Sequence, residues 1–186
     1  PYSMERRQPV GPWQAPDVGA WQHRTFMGYH RGDGAVGTRN FWLVIPLVFC
    51  ENRNIMVMKD AFERELGFAQ PEIYRDQVRE LLALYRQGNL DALDAAEPPA
   101  AGQRALRRSV VFPNIDGIKF LTHEMGCGGT NQDCQTLAEV FAGFCLNPNV
   151  AGITVLSLGC QKTQIEDLRA AIEERSAHFD KPLLYF

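Results

Sequence analysis

No two cysteines of this chain stand in CxxC spacing, no charge of one sign predominates, and no apolar run could cross a bilayer. Each absence removes a class of protein. The five cysteines, Cys50, Cys127, Cys134, Cys145 and Cys160, are odd in number and lack ribbon spacing, which argues against a disulfide framework and a zinc ribbon. The longest apolar run, Phe41 to Phe49, has nine residues, about half of the ~18–20 that a membrane span needs. Nineteen Lys and Arg face twenty-two Asp and Glu, a net charge of −3, so the basic footprint of a nucleic-acid binder is missing. The amino-terminal stretch is polar and proline-rich rather than an apolar leader, and with unpaired thiols the expected compartment is a reducing cytoplasm. No GxGxxG follows a predicted strand and there is no P-loop, so nucleotide binding is not indicated. No Gly-x-Ser-x-Gly elbow marks a hydrolase triad. Internal repeats and low-complexity segments are also absent.

What remains is 186 residues, 45% of them hydrophobic and 22% charged, enough for one core without staples. Residues 1–24 hold Pro1, Pro9, Pro12 and Pro16 with no periodicity. They read as an interdomain linker or extended arm, on which Trp13 and Trp21 could pack against a neighbouring domain. Residues 25–186 read as an α/β domain. A start at Pro1 rather than Met, and an apolar end at Leu183–Phe186, suggest a piece of a longer protein.

Asn40–Cys50 is a continuous Val-, Ile- and Phe-rich run, the pattern of a strand buried on both faces, although Pro46 removes one ladder donor. Ile55, Met58, Phe62 and Leu66 recur at helical spacing and Gly67 ends the pattern. A second stripe, Ile73, Val78, Leu81, Leu82 and Tyr85, predicts another helix before Gly88-Asn89. Residues 95–108 predict a surface excursion, and Ser109–Phe112 a short edge strand. Gly117–His123 and Val150–Leu158 predict two further strands. Helices follow each, one carrying Leu137, Val140, Phe141 and Phe144, the other Ile165, Leu168 and Ile172. Leu183–Phe186 predicts a last strand. Buried strands alternating with amphipathic helices imply a three-layer α/β sandwich with a mainly parallel, Rossmann-like sheet. Strands consecutive in sequence are expected to be neighbours in it.

Ligands of such sheets bind beyond the carboxyl ends of the strands. Three predicted ends there carry Cys50-Glu51-Asn52, His123-Glu124-Met125-Gly126-Cys127-Gly128-Gly129 and Gly159-Cys160-Gln161-Lys162. Glycines let backbone approach a ligand, and the following helix offers its N–H groups. A histidine, a glutamate and a cysteine within five residues can bind a borderline divalent metal or move protons. The plainer alternative is a glycine turn with a buried thiol filling space. Cys134 and Cys145 fall in the helix between, as core filler. Arg31 and Arg39, in the glycine-rich stretch before the first strand, suit carboxylate recognition. By topology they begin at the opposite edge, where a solvated hairpin is the competing reading.

Four stretches, Met27–Asn40, Thr122–Gly129, Asn147–Gly152 and Leu158–Gln161, resemble the altronate dehydratase/galactarate dehydratase family from about Thr25 onward. Val48–Asn54 resembles the altronate branch most. The resemblance implies a sugar-acid dehydratase using a divalent metal, Fe²⁺ or Mn²⁺, of which this chain would be the central region, working with flanking domains, with a homo-oligomer as one assembly it allows. The reaction implied is loss of water from D-altronate to give 2-dehydro-3-deoxy-D-gluconate. Galactarate or a sulfonated hydroxy acid are alternative substrates, and a non-catalytic binding or scaffold domain is the alternative of a different class. Within that frame the expected metal ligands are His123, Cys127 and Cys160. The expected acid–base residues are Glu124, Glu51 and His123. The expected substrate contacts are Arg31, Arg39, Asn52, Gly128 and Gly129. Cys127 and Cys160 are expected to approach each other, with His123 nearby.

Overall fold

The computed structural model describes residues 14–69, 72–96 and 110–186. Four parallel strands form one sheet: β3 (Phe41–Pro46), β4 (Gly117–Phe120), β5 (Val150–Leu156) and β6 (Leu183–Tyr185), in the order β4-β3-β5-β6. A two-residue hairpin, β1 (Tyr29–His30) with β2 (Val36–Gly37), precedes them. Helices α1 (Asn52–Glu65), α2 (Ile73–Arg86) and α3 (Leu90–Asp94) follow β3. Helix α4 (Asn131–Leu146) joins β4 to β5, and α5 (Ile165–Arg175) joins β5 to β6.

Four of the predicted strands form and lie parallel, but two that are consecutive in sequence are not neighbours. β4 turns out on one side of β3 and β5 on the other, so the expected adjacency of β4 and β5 is corrected. The chain leaves β3 in one direction and returns past it in the other. Because parallel crossovers are right-handed, that reversal puts α1 on one face of the sheet and α4 with α5 on the opposite face. Three layers result.

β3 is buried on both sides because it is central. Leu43, Ile45 and Leu47 join Ile153 and Val155 of β5 against Leu137, Phe141, Cys145, Leu168 and Ile172 of the two helices. The alternate residues Val44 and Val48 are buried too, as is Ile55 of α1, in keeping with the two-residue period of a strand. Pro46 is tolerated because it ends the strand, and the next residue takes over the ladder through Leu47 N–H to Leu156 O at 3.0 Å.

Several expectations need amending. The stripe on α2 is not covered among the described residues: Val78, Leu82 and Tyr85 stay exposed and the helix buries nothing. Residues 110–112 form no strand, and Ser109 lies outside the described residues with most of the 95–108 excursion. Of the arm, residues 1–13, including Trp13, also lie outside. Residues 14–24 are exposed around one 3-10 turn at Gly19–Trp21, with Arg24 stacked 4.4 Å from the Trp21 ring. No helix among the described residues is long and apolar enough to cross a membrane.

Candidate functional site at the carboxyl edge

Adjacent strands whose onward connections run in opposite directions open a crevice between their carboxyl ends. Here those strands are β3 and β5. The segment leaving β4 does not stay beside its own strand. It crosses the end of β3 and is stitched down on both sides of the crevice: Phe49 N–H donates to Met125 O at 2.9 Å, and Lys162 N–H donates to Gly126 O at 2.9 Å. The crossing is tight. A side chain at Gly126 would place its Cβ 2.1 Å from Leu47 O, and φ there is +92°, so only glycine fits. The three predicted loops therefore meet although their strands are not consecutive in the sheet. Cys127 and Cys160 lie one and two residues from the two partners of the Lys162–Gly126 bond.

His123 anchors the crossing. Met125 N–H donates to its Nδ1 at 3.0 Å, which places the ring proton on Nε2, and Nε2 lies 2.9 Å from Pro46 O as the donor. The ring also sits edge-on to Phe141 at 5.2 Å. Asn52 is spent likewise, donating from Nδ2 to His123 O at 2.7 Å and accepting from His123 N–H at 3.4 Å. As placed, His123 offers no lone pair to a metal and no free nitrogen to a substrate, and Asn52 clasps backbone rather than ligand. The divalent ion implied by the family resemblance does not fit this donor set: no group of three or more His, Cys, Asp and Glu side chains is arranged to hold a metal among the described residues.

The two carboxylates differ. Glu51 is buried where β3 passes into α1, and Asn54 Nδ2 donates to its Oε2 at 2.8 Å. Glu124 is exposed at the rim. Cys50, Cys127 and Cys160 are exposed as well, whereas Cys134 and Cys145 are buried, as expected of core filler. Burial pushes the Cys145 thiol up to about 12.

Gly126–Gly129 has the form of an anion nest. The sign of φ alternates, positive at Gly126 and Gly128 and not at Cys127 or Gly129. Among the described residues no acceptor takes the N–H of Cys127, Gly128 or Gly129. Successive N–H groups presented in this way bind carboxylates and phosphates. The helix beyond is already closed by a capping box, Thr130 N–H to Asp133 Oδ2 at 2.7 Å and Asp133 N–H to Thr130 Oγ1 at 3.1 Å. That backbone bond, the Thr130 hydroxyl and the Lys162 ammonium hold the Asp133 carboxyl below its ordinary range.

Arg31 and Arg39 are elsewhere. Arg31 Nε donates to Pro148 O at 2.8 Å and its other end to Asn40 Oδ1 at 2.8 Å, while Arg39 faces Asp116 at 3.6 Å. Asn40, Asp116 and Pro148 all come just before parallel strands, so both arginines sit at the amino edge, ~20 Å from the crevice by strand rise. The hairpin β1–β2 is what this stretch forms. Sequence reasoning also passed over Lys162 as a site residue. Its signal was a lysine directly after a Gly-Cys-Gln turn at a strand's end.

Neither of two nearby concavities suits a sugar acid. The groove of about 420 Å³ between α4 and α5 is lined by Glu139, Asp167 and Glu174 against Lys162 alone, three carboxylates to one ammonium, a balance that disfavours a carboxylate. The hollow of about 240 Å³ between Leu121–Met125 and α4 is lined mostly by apolar side chains such as Leu137, Val140 and Phe144. The open crevice remains.

The model for the second domain of D-galactarate dehydratase/altronate hydrolase matches residues 28–185. The chain belongs to this dehydratase family. A curated relative, the altronate dehydratase of Bacillus subtilis (strain 168), is 22% identical over 153 residues, covering 82% of this chain. The chain spans only 22% of the length of that relative. No solved structure matches it significantly. The nest, the rim glutamate and the exposed thiols all fall inside the matched residues.

Proposed function

We propose that this domain supplies part of the active site of a sugar-acid dehydratase, in which D-altronate loses water to give 2-dehydro-3-deoxy-D-gluconate. The observation that carries the reading is the nest of unpaired N–H groups over the crevice, inside a segment belonging to a dehydratase family. The substrate carboxylate is held by the N–H groups of Cys127, Gly128 and Gly129. This fixes C2 at the rim and spreads the charge that builds up as its proton leaves. Glu124, exposed at that rim, takes the C2 proton. The C3–O bond then breaks, the hydroxyl leaves as water with the proton that Glu124 took, and the enol relaxes to the 2-keto acid. Glu51 is buried and held by Asn54, so its part is to fix the turn into α1. Contacts for the far end of the sugar acid come from other parts of the full-length protein, of whose curated relative this chain spans 22%.

The test is steady-state dehydration of D-altronate by the full-length protein. Glu124→Gln should lower kcat by ~10²–10⁴ with the melting temperature unchanged. Glu51→Gln should act mainly through stability. Full turnover by Glu124→Gln would remove the proposed base, and faster turnover of galactarate would move the substrate assignment within the family. No turnover of any sugar acid would leave a binding or scaffold domain.

A further inference from the structure

We propose that Lys162 is the positioning residue of the Gly126–Gly129 nest, a part that the reading of the sequence does not assign to it. One residue grips both ends of the loop. Its backbone N–H donates to Gly126 O at 2.9 Å, and its ammonium donates to Gly129 O at 2.6 Å. Each bond orients a whole peptide plane. With the Gly126 carbonyl turned toward Lys162, the N–H of the same peptide, at Cys127, is turned away from it. The Gly129–Thr130 peptide is held at both of its polar ends, its oxygen by Lys162 and its N–H by Asp133 at 2.7 Å. The N–H of Cys127 lies on the first pinned plane, and those of Gly128 and Gly129 lie between the two. Gly128 has a φ of +74° and open space where a Cβ would be.

The device answers a physical difficulty. Glycine-rich backbone can approach a ligand closely but loses more conformational freedom on ordering than any other backbone. A charge-assisted bond at the far end restricts the loop before the ligand arrives. It uses an ammonium on β5's exit to shape a loop that belongs to β4, across the end of β3.

The part of Lys162 in substrate binding rests on the dehydratase reading, and the clamp itself does not. In the full-length protein, Lys162→Met keeps the backbone bond and removes only the ammonium. Amide hydrogen exchange at Thr130 and at position 162 should quicken ~10-fold, the scale of one charge-assisted hydrogen bond. KM for D-altronate should rise by a similar factor with kcat little changed, and Lys162→Arg should restore much of both. Unchanged exchange in Lys162→Met overturns the clamp. Faster exchange with an unchanged KM overturns its part in binding. If the parent protein dehydrates no sugar acid, the functional reading fails, and the exchange result still decides the clamp.

Discussion

Lys181 carries its charge where little water reaches. Its ammonium is buried just before β6 and donates to Cys145 O at 2.8 Å and Asn147 O at 2.6 Å, at the carboxyl end of α4. Burial, with the Arg31 guanidinium adding to it against Asp33, Cys145 and Asp180, lowers this lysine from 10.5 to about 8. Between those values the unfolded chain holds the proton and the folded one does not. Stability should therefore rise as pH climbs from 8 toward 10.5, by at most ~3 kcal/mol, and be flat in this component below 8. Urea unfolding at pH 7.5 and 10, compared with Lys181→Met, isolates the effect. Equal pH slopes for the two proteins would show that the ammonium stays charged. His123 teaches a related lesson. Its place at a strand end was legible in the sequence. Its engagement was not, because the carbonyl that accepts its hydrogen bond, on Pro46, is 77 residues away in the chain.

At the scale of elements, the strands and main helices were legible because each had a strong local pattern. β3 shows a continuous apolar run, and α4 and α5 show stripes behind glycine turns. The order of the strands was not, since nothing local says on which side of β3 the chain will lay β4. The amphipathic stripe of α2 predicted a true helix, yet its face stays uncovered among the described residues, because the period marks which face could be covered, not what covers it. The crossing loop is the element that the reordered sheet creates, and its two special glycines separate by experiment. Gly126→Ala meets Leu47 O and strains φ together, so it should destabilise by more than ~2 kcal/mol. Gly128→Ala meets nothing and strains φ alone, costing ~1–2 kcal/mol while impairing sugar-acid binding. Thermal melts of both variants check the contrast, and equal losses would contradict the crossing geometry.

For the whole molecule, the five thiols report how the fold divides core from edge. Cys50, Cys127 and Cys160 follow three different strands and are exposed together at one rim, whereas Cys134 and Cys145 are buried on α4 itself. Iodoacetamide should label the first three in the native protein. The other two should react only after unfolding, Cys145 with the added hindrance of a thiol raised to about 12. Mass spectrometry of native and denatured samples reads this directly. Native labelling of Cys145 would mean that the layer of α4 and α5 opens readily.

The central position of β3 also governs how the chain must assemble. β3 is the first strand of its sheet to be made, yet its partners are β4, beginning at Gly117, and β5, beginning at Val150. During synthesis the most apolar strand of the protein emerges with both hydrogen-bonding edges empty and waits for segments not yet translated. Closing such long loops is slow, and an unpaired apolar strand is where chains stick to one another. The order of the sheet thus makes the newborn chain a natural client for chaperones that hold extended apolar segments. A pulse-labelled nascent chain truncated before Gly117 should be aggregation-prone, and one extended past Tyr185 should not.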